Sequence, residues 1–202
     1  MYIRINWKVL NYINGGISMN IYEIEKIVSE ICESNAKCLS TKDLVFDPIF
    51  RKYCEENKCG MYGRNYMCPP DIGTFEEVKQ RALKYEYVIF YSTKGSIKDF
   101  DDRENIKLVE NKHNENAQKI TEFFRKNIDK HILNVASKCS YCNECSKITN
   151  SPCKHPDKAR ACLSAYCIDV GKMAEKCGLE FQSDGKSISF FGAALFSCDD
   201  VI

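Results

Sequence analysis

Residues 138–156 read KCSYCNECSKITNSPCKHP, and the spacing of their cysteines carries the most specific structural information in the chain. Cys139, Cys142 and Cys145 recur at every third residue, and Cys153 follows after a gap of seven residues. A loop with thiolates at this spacing can wrap three corners of a [4Fe–4S] cubane, as in ferredoxin runs that end on a cysteine beside proline. Structural zinc sites usually draw paired ligands from two separate turns, so the crowded spacing favours iron–sulfur. We therefore predict that these four cysteines bind metal.

A second cysteine-rich segment lies upstream, at residues 54–70. It contains Cys54, Cys59 and Cys68, and its glycines and closing Pro-Pro pair indicate a loop whose backbone can approach a cluster closely. We predict metal ligation by this trio as well. Its fourth ligand is open at this point: Cys38 could supply it, the position could be free for water, substrate or a partner, or both loops could share one site.

The bulk composition narrows the class of protein. The 202 residues include 13 cysteines, an odd number that, in a chain without a recognisable export signal, favours metal or redox chemistry over disulfides. Lys and Arg (29) nearly balance Asp and Glu (28), so the basic surface of a nucleic-acid binder is not expected. No apolar run approaches the roughly 18 residues that a membrane span requires. We expect a cytoplasmic protein with no nucleic-acid or membrane partner.

Two regions are predicted along the chain. Residues 1–18 are expected to be a disordered extension or the product of a mis-assigned start, because a convincing amphipathic helix begins only after Met19. Residues 19–202 are expected to form one cysteine-rich metal-binding domain.

Hydrophobic periodicity and turn signals predict the elements between the loops. The predicted helices span residues 20–34, 48–56, 74–85, 101–130, 157–166 and 169–177. The predicted extended segments span residues 39–46 and 87–92, and a hairpin joins 179–182 to 186–197 through Ser183-Asp184-Gly185. The alternating charges of residues 101–130 are typical of a solvated helix face. The fold class predicted is α+β: a single domain with a mixed or antiparallel sheet, flanking helices and two cysteine-rich metal-binding loops.

Taken together, the two loops form a longer pattern. It reads Cys54-x4-Cys59-x2-Tyr62-Gly63-x4-Cys68-Pro69-Pro70, then Cys139-x2-Cys142-x2-Cys145, Pro152-Cys153-x2-Pro156, Arg160 and Ile168-Asp169-Val170. This pattern resembles the DUF2284 family of predicted metal-binding proteins over roughly residues 20–200. The resemblance implies metal ligation by the seven cysteines of the two loops, and it implies no particular reaction.

The chain departs from that family pattern at residues 160–170. The family usually reads Arg-x-Ser-Met-Glu-Ala-x-Gly-Ile-Asp-Val, whereas here Ser164 replaces the acidic residue and Cys162 and Cys167 are additional. A free cysteine packs well as a small hydrophobe, so packing is the favoured interpretation of both, with replacement ligation as the alternative. Packing is likewise expected for Cys32 and Cys177, and Cys198 is expected to be incidental.

Three functional hypotheses follow. The first is a protein that carries one or two [4Fe–4S] clusters and exchanges electrons with a redox partner protein. The second is a structural zinc-binding interaction protein. The third is an enzyme whose cluster at Cys54, Cys59 and Cys68 keeps an open coordination position.

Overall fold

A four-stranded antiparallel sheet forms the centre of the computed structural model, which describes residues 19–129, 131–181 and 185–197. The strands are β1 (Ala36–Ser40), β2 (Tyr87–Ser96), β3 (Leu133–Val135) and β4 (Ser187–Phe196). Their spatial order is β1-β2-β4-β3, and every pair is antiparallel. The predicted α+β class is therefore confirmed, while the predicted extension at residues 1–18 and Cys198 lie outside the described residues.

Helices cover both faces of the sheet. They are α1 (Ile21–Cys32), α2 (Ile49–Glu55), α3 (Phe75–Leu83), α4 (Arg103–Asn127) and α5 (Val170–Cys177). Side chains alternate along a strand, so Val88 and Phe90 of β2 join the core under α3 and α5. Ile89 and Tyr91 join a second core, under α1 and α4. The sheet is thus the middle of three layers.

The predicted hairpin at residues 179–197 is wrong. Residues 179–181 form no strand, and residues 182–184, which contain the start of the predicted turn, lie outside the described residues. Strand β4 instead pairs with β2 over ten residues on one edge and with β3 over Ala193–Leu195 on the other. The partners of β4 are therefore strands distant in the sequence.

Two smaller predictions also fail for local reasons. Residues 41–43 form a short 3-10 turn, because the Ser40 side chain accepts the Lys42 N–H and ends the extended segment. Residues 157–166 form no α-helix. Ala136 donates its N–H to the Ala161 carbonyl and forms an isolated parallel bridge with Cys162, so the backbone there is extended.

Helix α4 is only partly solvated, which corrects the expectation for residues 101–130. One stripe of the helix is buried, and it consists of Val109, His113, Asn116, Ala117, Ile120 and Phe124. His113 is fully buried, with Nε2 3.1 Å from the Phe191 carbonyl and Nδ1 3.0 Å from the Thr93 hydroxyl. Because a carbonyl can only accept, Nε2 carries the proton and Nδ1 accepts from Thr93. Burial therefore lowers the pKa of His113 to about 4.

This buried histidine predicts a pH-dependent stability. Between pH 6.5 and about 4, His113 takes up a proton when the chain unfolds and stays neutral when it is folded. A falling pH therefore stabilises the unfolded state relative to the folded state. We expect the free energy of unfolding to decrease by about 3 kcal/mol across this window. Chemical denaturation of the wild type and His113→Gln at pH 7 and pH 5 checks this, because the variant should lose much of the pH dependence. Equal slopes in the two proteins would contradict the assignment.

Candidate metal centre

The upstream cysteine loop is held by backbone turns. Cys54 lies in the last turn of α2, Cys59 is exposed in the following turn, and Cys68 is buried just before a cis Pro69-Pro70 bond. The Gly63 N–H donates to the Pro69 carbonyl at 2.8 Å and closes the loop. Gly63 has φ of +68°, a left-handed conformation that glycine adopts without strain.

The structure brings a fourth cysteine, Cys162, to this trio. Helix α2 packs against the 3-10 turn Ser164–Tyr166, which follows Cys162 directly. Burial, and after it the neighbouring Cys162 thiol, raise the pKa of Cys68 to about 12 and that of Cys54 to about 11. Cys59 acts in the same direction on the pKa of Cys162. We call these four residues, Cys54, Cys59, Cys68 and Cys162, the Cys54 set.

Cys38 is excluded as the fourth member of this group. It is buried in β1 and belongs to the core under α1 and α4. Cys162 packs against the core on the opposite face of the sheet. The sheet therefore separates Cys38 from the loop that it was considered to complete.

The downstream cysteines surround one cavity of about 420 Å³. All four of them, Cys139, Cys142, Cys145 and Cys153, line it, and we call them the Cys139 set. Cys145 precedes the 3-10 turn Ser146–Thr149 and its carbonyl accepts the Ile148 N–H at 3.1 Å. The Ser146 hydroxyl donates to the Pro152 carbonyl at 2.8 Å, which turns the chain back and returns Cys153 to the other three.

The two loops are in contact with each other. The Tyr66 hydroxyl donates to the Ser151 carbonyl at 2.9 Å, and Lys147 forms an ion pair with Asp71. The Cys139 thiol also contributes to the raised pKa of Cys68, after burial and the cysteines of its own set. The two sets are therefore neighbours within one region of the molecule.

Two guanidinium groups near the loops have unsatisfied N–H groups, one beside the Cys54 set and one stacked on Tyr141 of the downstream loop. Arg51 precedes Cys54 by one helical turn and donates only through Nη2, to the Ala165 carbonyl at 3.3 Å, so its buried Nε and Nη1 have no hydrogen-bond partner among the described residues. Arg160 is 6% exposed, stacks 5.3 Å from the Tyr141 ring centroid and has a buried, unpartnered Nε in the same part of the chain.

These guanidinium groups also lack an acidic partner. No carboxylate among the described residues forms an ion pair with either of them. A buried cation normally requires a nearby anion, because the protein interior solvates it poorly. A thiolate-bound [4Fe–4S] cluster carries a net negative charge, so the charges and the sulfur donors of both sets fit such a group.

No preformed site for a single metal ion is present in the described part of the chain. Among residues 19–129, 131–181 and 185–197, no three His, Cys, Asp or Glu side chains converge in a way that could hold one metal ion. A tetrahedral zinc with Zn–S bonds of about 2.3 Å requires sulfurs about 3.8 Å apart.

Comparison with known families agrees with the chemistry of these residues. A family model described as predicted metal-binding protein (DUF2284) matches residues 37–196. The chain belongs to the DUF2284 family. The match includes every cysteine of both sets, and it supports a metal cofactor in this DUF2284 protein without specifying which one. No curated protein and no solved structure matches the chain. In the described part of the chain, every helix is too short or too polar to cross a bilayer.

Two residues of this region carried weak signals in the sequence. For Cys162 the sequence favours packing, with ligation as the alternative, because a free cysteine packs well as a small hydrophobe. For Arg51 the available signal is its position three residues before Cys54 on a predicted helix, a spacing that places both on one face. The cysteines predicted from the loops are all accounted for in the two sets, and their binding of metal stays a prediction.

Proposed function

We propose that this DUF2284 protein holds a [4Fe–4S] cluster in each cysteine set and exchanges electrons with a partner protein. The observation that carries the proposal is the Arg51 guanidinium beside the Cys54 set, whose buried Nε and Nη1 have no hydrogen-bond partner among the described residues. A buried cation requires an anion, and four thiolates with iron and sulfide provide one. Arg160, which stacks on Tyr141 of the downstream loop, has a second unpartnered Nε.

The spacing of the sulfurs favours a cluster over a single zinc ion. Each thiolate of a cubane binds a different iron, so the four sulfurs lie around a larger object than one ion. The Cys139 set lines a cavity of about 420 Å³, which offers room for a group larger than one ion.

The chain's own residues would position and insulate such a centre. When bound, a [4Fe–4S] cluster supplies a one-electron redox site whose potential depends on charge, hydrogen bonds to sulfur and solvent exposure. Burial of Cys68 limits water on the inner side of the Cys54 set, whereas exposed Cys59 brings its outer side to the surface, where a partner protein can dock. The contact between the two loops offers a short route between the sets.

The free thiols support a reducing compartment, and we propose the cytoplasm. Every cysteine of the two sets is a free thiol. Disulfides form readily in oxidising compartments, and cytosolic proteins keep their thiols reduced. Free thiols are also the form in which cysteines can accept iron.

Metal and sulfide analysis after anaerobic purification tests the proposal. We expect about eight iron and eight acid-labile sulfide per chain for two clusters, or about four of each for one, and broad absorption near roughly 400 nm that is bleached by dithionite. Stoichiometric zinc without iron or sulfide would overturn the cluster. A cluster that no reductant or oxidant can cycle would overturn the electron-transfer role.

A further inference from the structure

We propose that Cys162 is the fourth ligand of the Cys54 set, so that this set binds a fully thiolate-ligated [4Fe–4S] cluster with Arg51 as its neighbouring cation. The inference rests on the proposed function and deepens it. A complete set of four thiolates leaves no iron open to substrate, which makes the site an electron carrier. The open-site enzyme hypothesis is then disfavoured for this chain.

The backbone holds Cys162 beside α2. On its upstream side, the Ala136 N–H donates to the Ala161 carbonyl at 2.9 Å, which attaches this segment to the end of β3. On its downstream side, the Asp47 N–H donates to the Cys167 carbonyl at 2.8 Å, just before α2 begins. These two attachments leave Cys162 little freedom to move away from the helix that carries Cys54.

The turn after Cys162 is closed by backbone hydrogen bonds. The Cys162 carbonyl accepts the Ala165 N–H at 3.1 Å, and the Ser164 carbonyl accepts the Cys167 N–H at 2.9 Å. The turn in this way fixes the Cys162 backbone beside α2, against which it packs.

The Cys162 thiol neighbours the members of the trio. It interacts electrostatically with Cys54, Cys68 and Cys59, and helix α2, which carries Cys54, packs against the turn that follows it. The Cys167 thiol interacts with Cys54 and lies beside the Arg51 guanidinium. A four-corner site requires a thiol that neighbours the other three.

The positive charge of Arg51 would offset part of the negative charge of the completed site. Its Nε and Nη1 are buried without a hydrogen-bond partner among the described residues, and the guanidinium lowers the pKa of Cys54 and of Cys167, in both cases against the larger effect of burial. Ligation itself is a substitution: the Cys162 thiol releases its proton to solvent and replaces a water on iron. No oxidation state changes, so the step requires no further reactant.

The experiment compares Cys162→Ala with Cys167→Gly, using the full chain isolated without oxygen. Cys167 has φ of +55°, which glycine tolerates, so the second variant removes a nearby sulfur at little backbone cost. We expect Cys162→Ala to lose about one iron per chain and show the EPR signal of an oxidised three-iron cluster, or to lose about four irons. Cys167→Gly should keep the wild-type iron content and spectrum.

A serine variant distinguishes the loss of a ligand from misfolding of the chain. Cys162→Ser nearly preserves the side-chain volume and offers an oxygen ligand, so we expect it to keep the four-iron cluster with an altered EPR spectrum and a lower reduction potential. Iron content and spectra unchanged in both Cys162 variants overturn this inference while the proposed function stands. A wild-type protein without iron overturns the proposed function and this inference together.

Discussion

Cys142→Ala is expected to empty the Cys139 set, with a loss of about four irons per chain and a lower melting temperature. Cys142 is the middle of the three closely spaced cysteines and lines the 420 Å³ cavity with the other members of the set. Without metal, the four thiols have no common partner and the loop between β3 and the bridge at Cys162 loses its organising centre. Losing a structural metal site costs several kcal/mol, so we expect the melting temperature to fall by roughly 10 °C.

A matched control separates ligation from the mere loss of a sulfur. Cys177→Ala removes a partly buried cysteine that packs against the core and belongs to neither set. It should keep the full iron content and lose only about 1 kcal/mol of stability. Iron analysis, absorption spectra and thermal denaturation of both variants test whether Cys142 is a metal ligand. Full iron and an unchanged melting temperature in Cys142→Ala would remove this residue from the ligand set.

Phe124→Ala is expected to cause the largest loss of stability among substitutions away from the cysteines, about 3–5 kcal/mol. Phe124 is fully buried on α4, and its ring centroid lies 4.8 Å from that of Phe196 on β4. It belongs to the core under α1 and α4, on the face of the sheet opposite the core that Cys162 packs against. The cavity would weaken the helix–sheet interface, and the cysteine sets would keep their geometry.

The neighbouring Phe123 provides the control for this prediction. It is only partly buried and packs at the margin of the same core, so Phe123→Ala should cost clearly less than Phe124→Ala. Urea denaturation gives the two free energies of unfolding, and iron content should match the wild type in both folded proteins. A Phe124→Ala protein that loses its iron while still folded would show that the two faces of the sheet are more strongly coupled than their packing indicates.

Several elements follow from short-range signals in the sequence. The predicted helix from residue 74 begins at a capping box: the Thr74 side chain accepts the Glu77 N–H at 3.3 Å, and the Glu77 carboxylate accepts the Thr74 N–H at 2.7 Å. The amphipathic start of the domain forms α1, and Asp169 caps α5. The cysteine spacings predicted two loops, and the structure gathers the predicted cysteines of each loop into its own set.

Longer-range features were not predictable in the same way. The predicted hairpin before β4 is wrong, since β4 pairs with β2 and β3, which are distant in the sequence. The buried stripe of α4 that contains His113 is not predictable either, because charge alternation describes the exposed face of the helix and says nothing of the stripe beneath it.

The sequence by itself determined the helix caps, the amphipathic helices and the two groups of closely spaced thiols, since each depends on residues a few positions apart. Only the tertiary structure decided that the segment after Cys162 packs against α2, which carries Cys54, and that Cys38 lies in the core on the other face of the sheet. The same holds for Arg51 and Arg160, whose unsatisfied N–H groups become visible only when neighbouring segments bury them. The physical reason is that packing and desolvation act between segments far apart in the chain, where spacing along the sequence carries no information about distance in space.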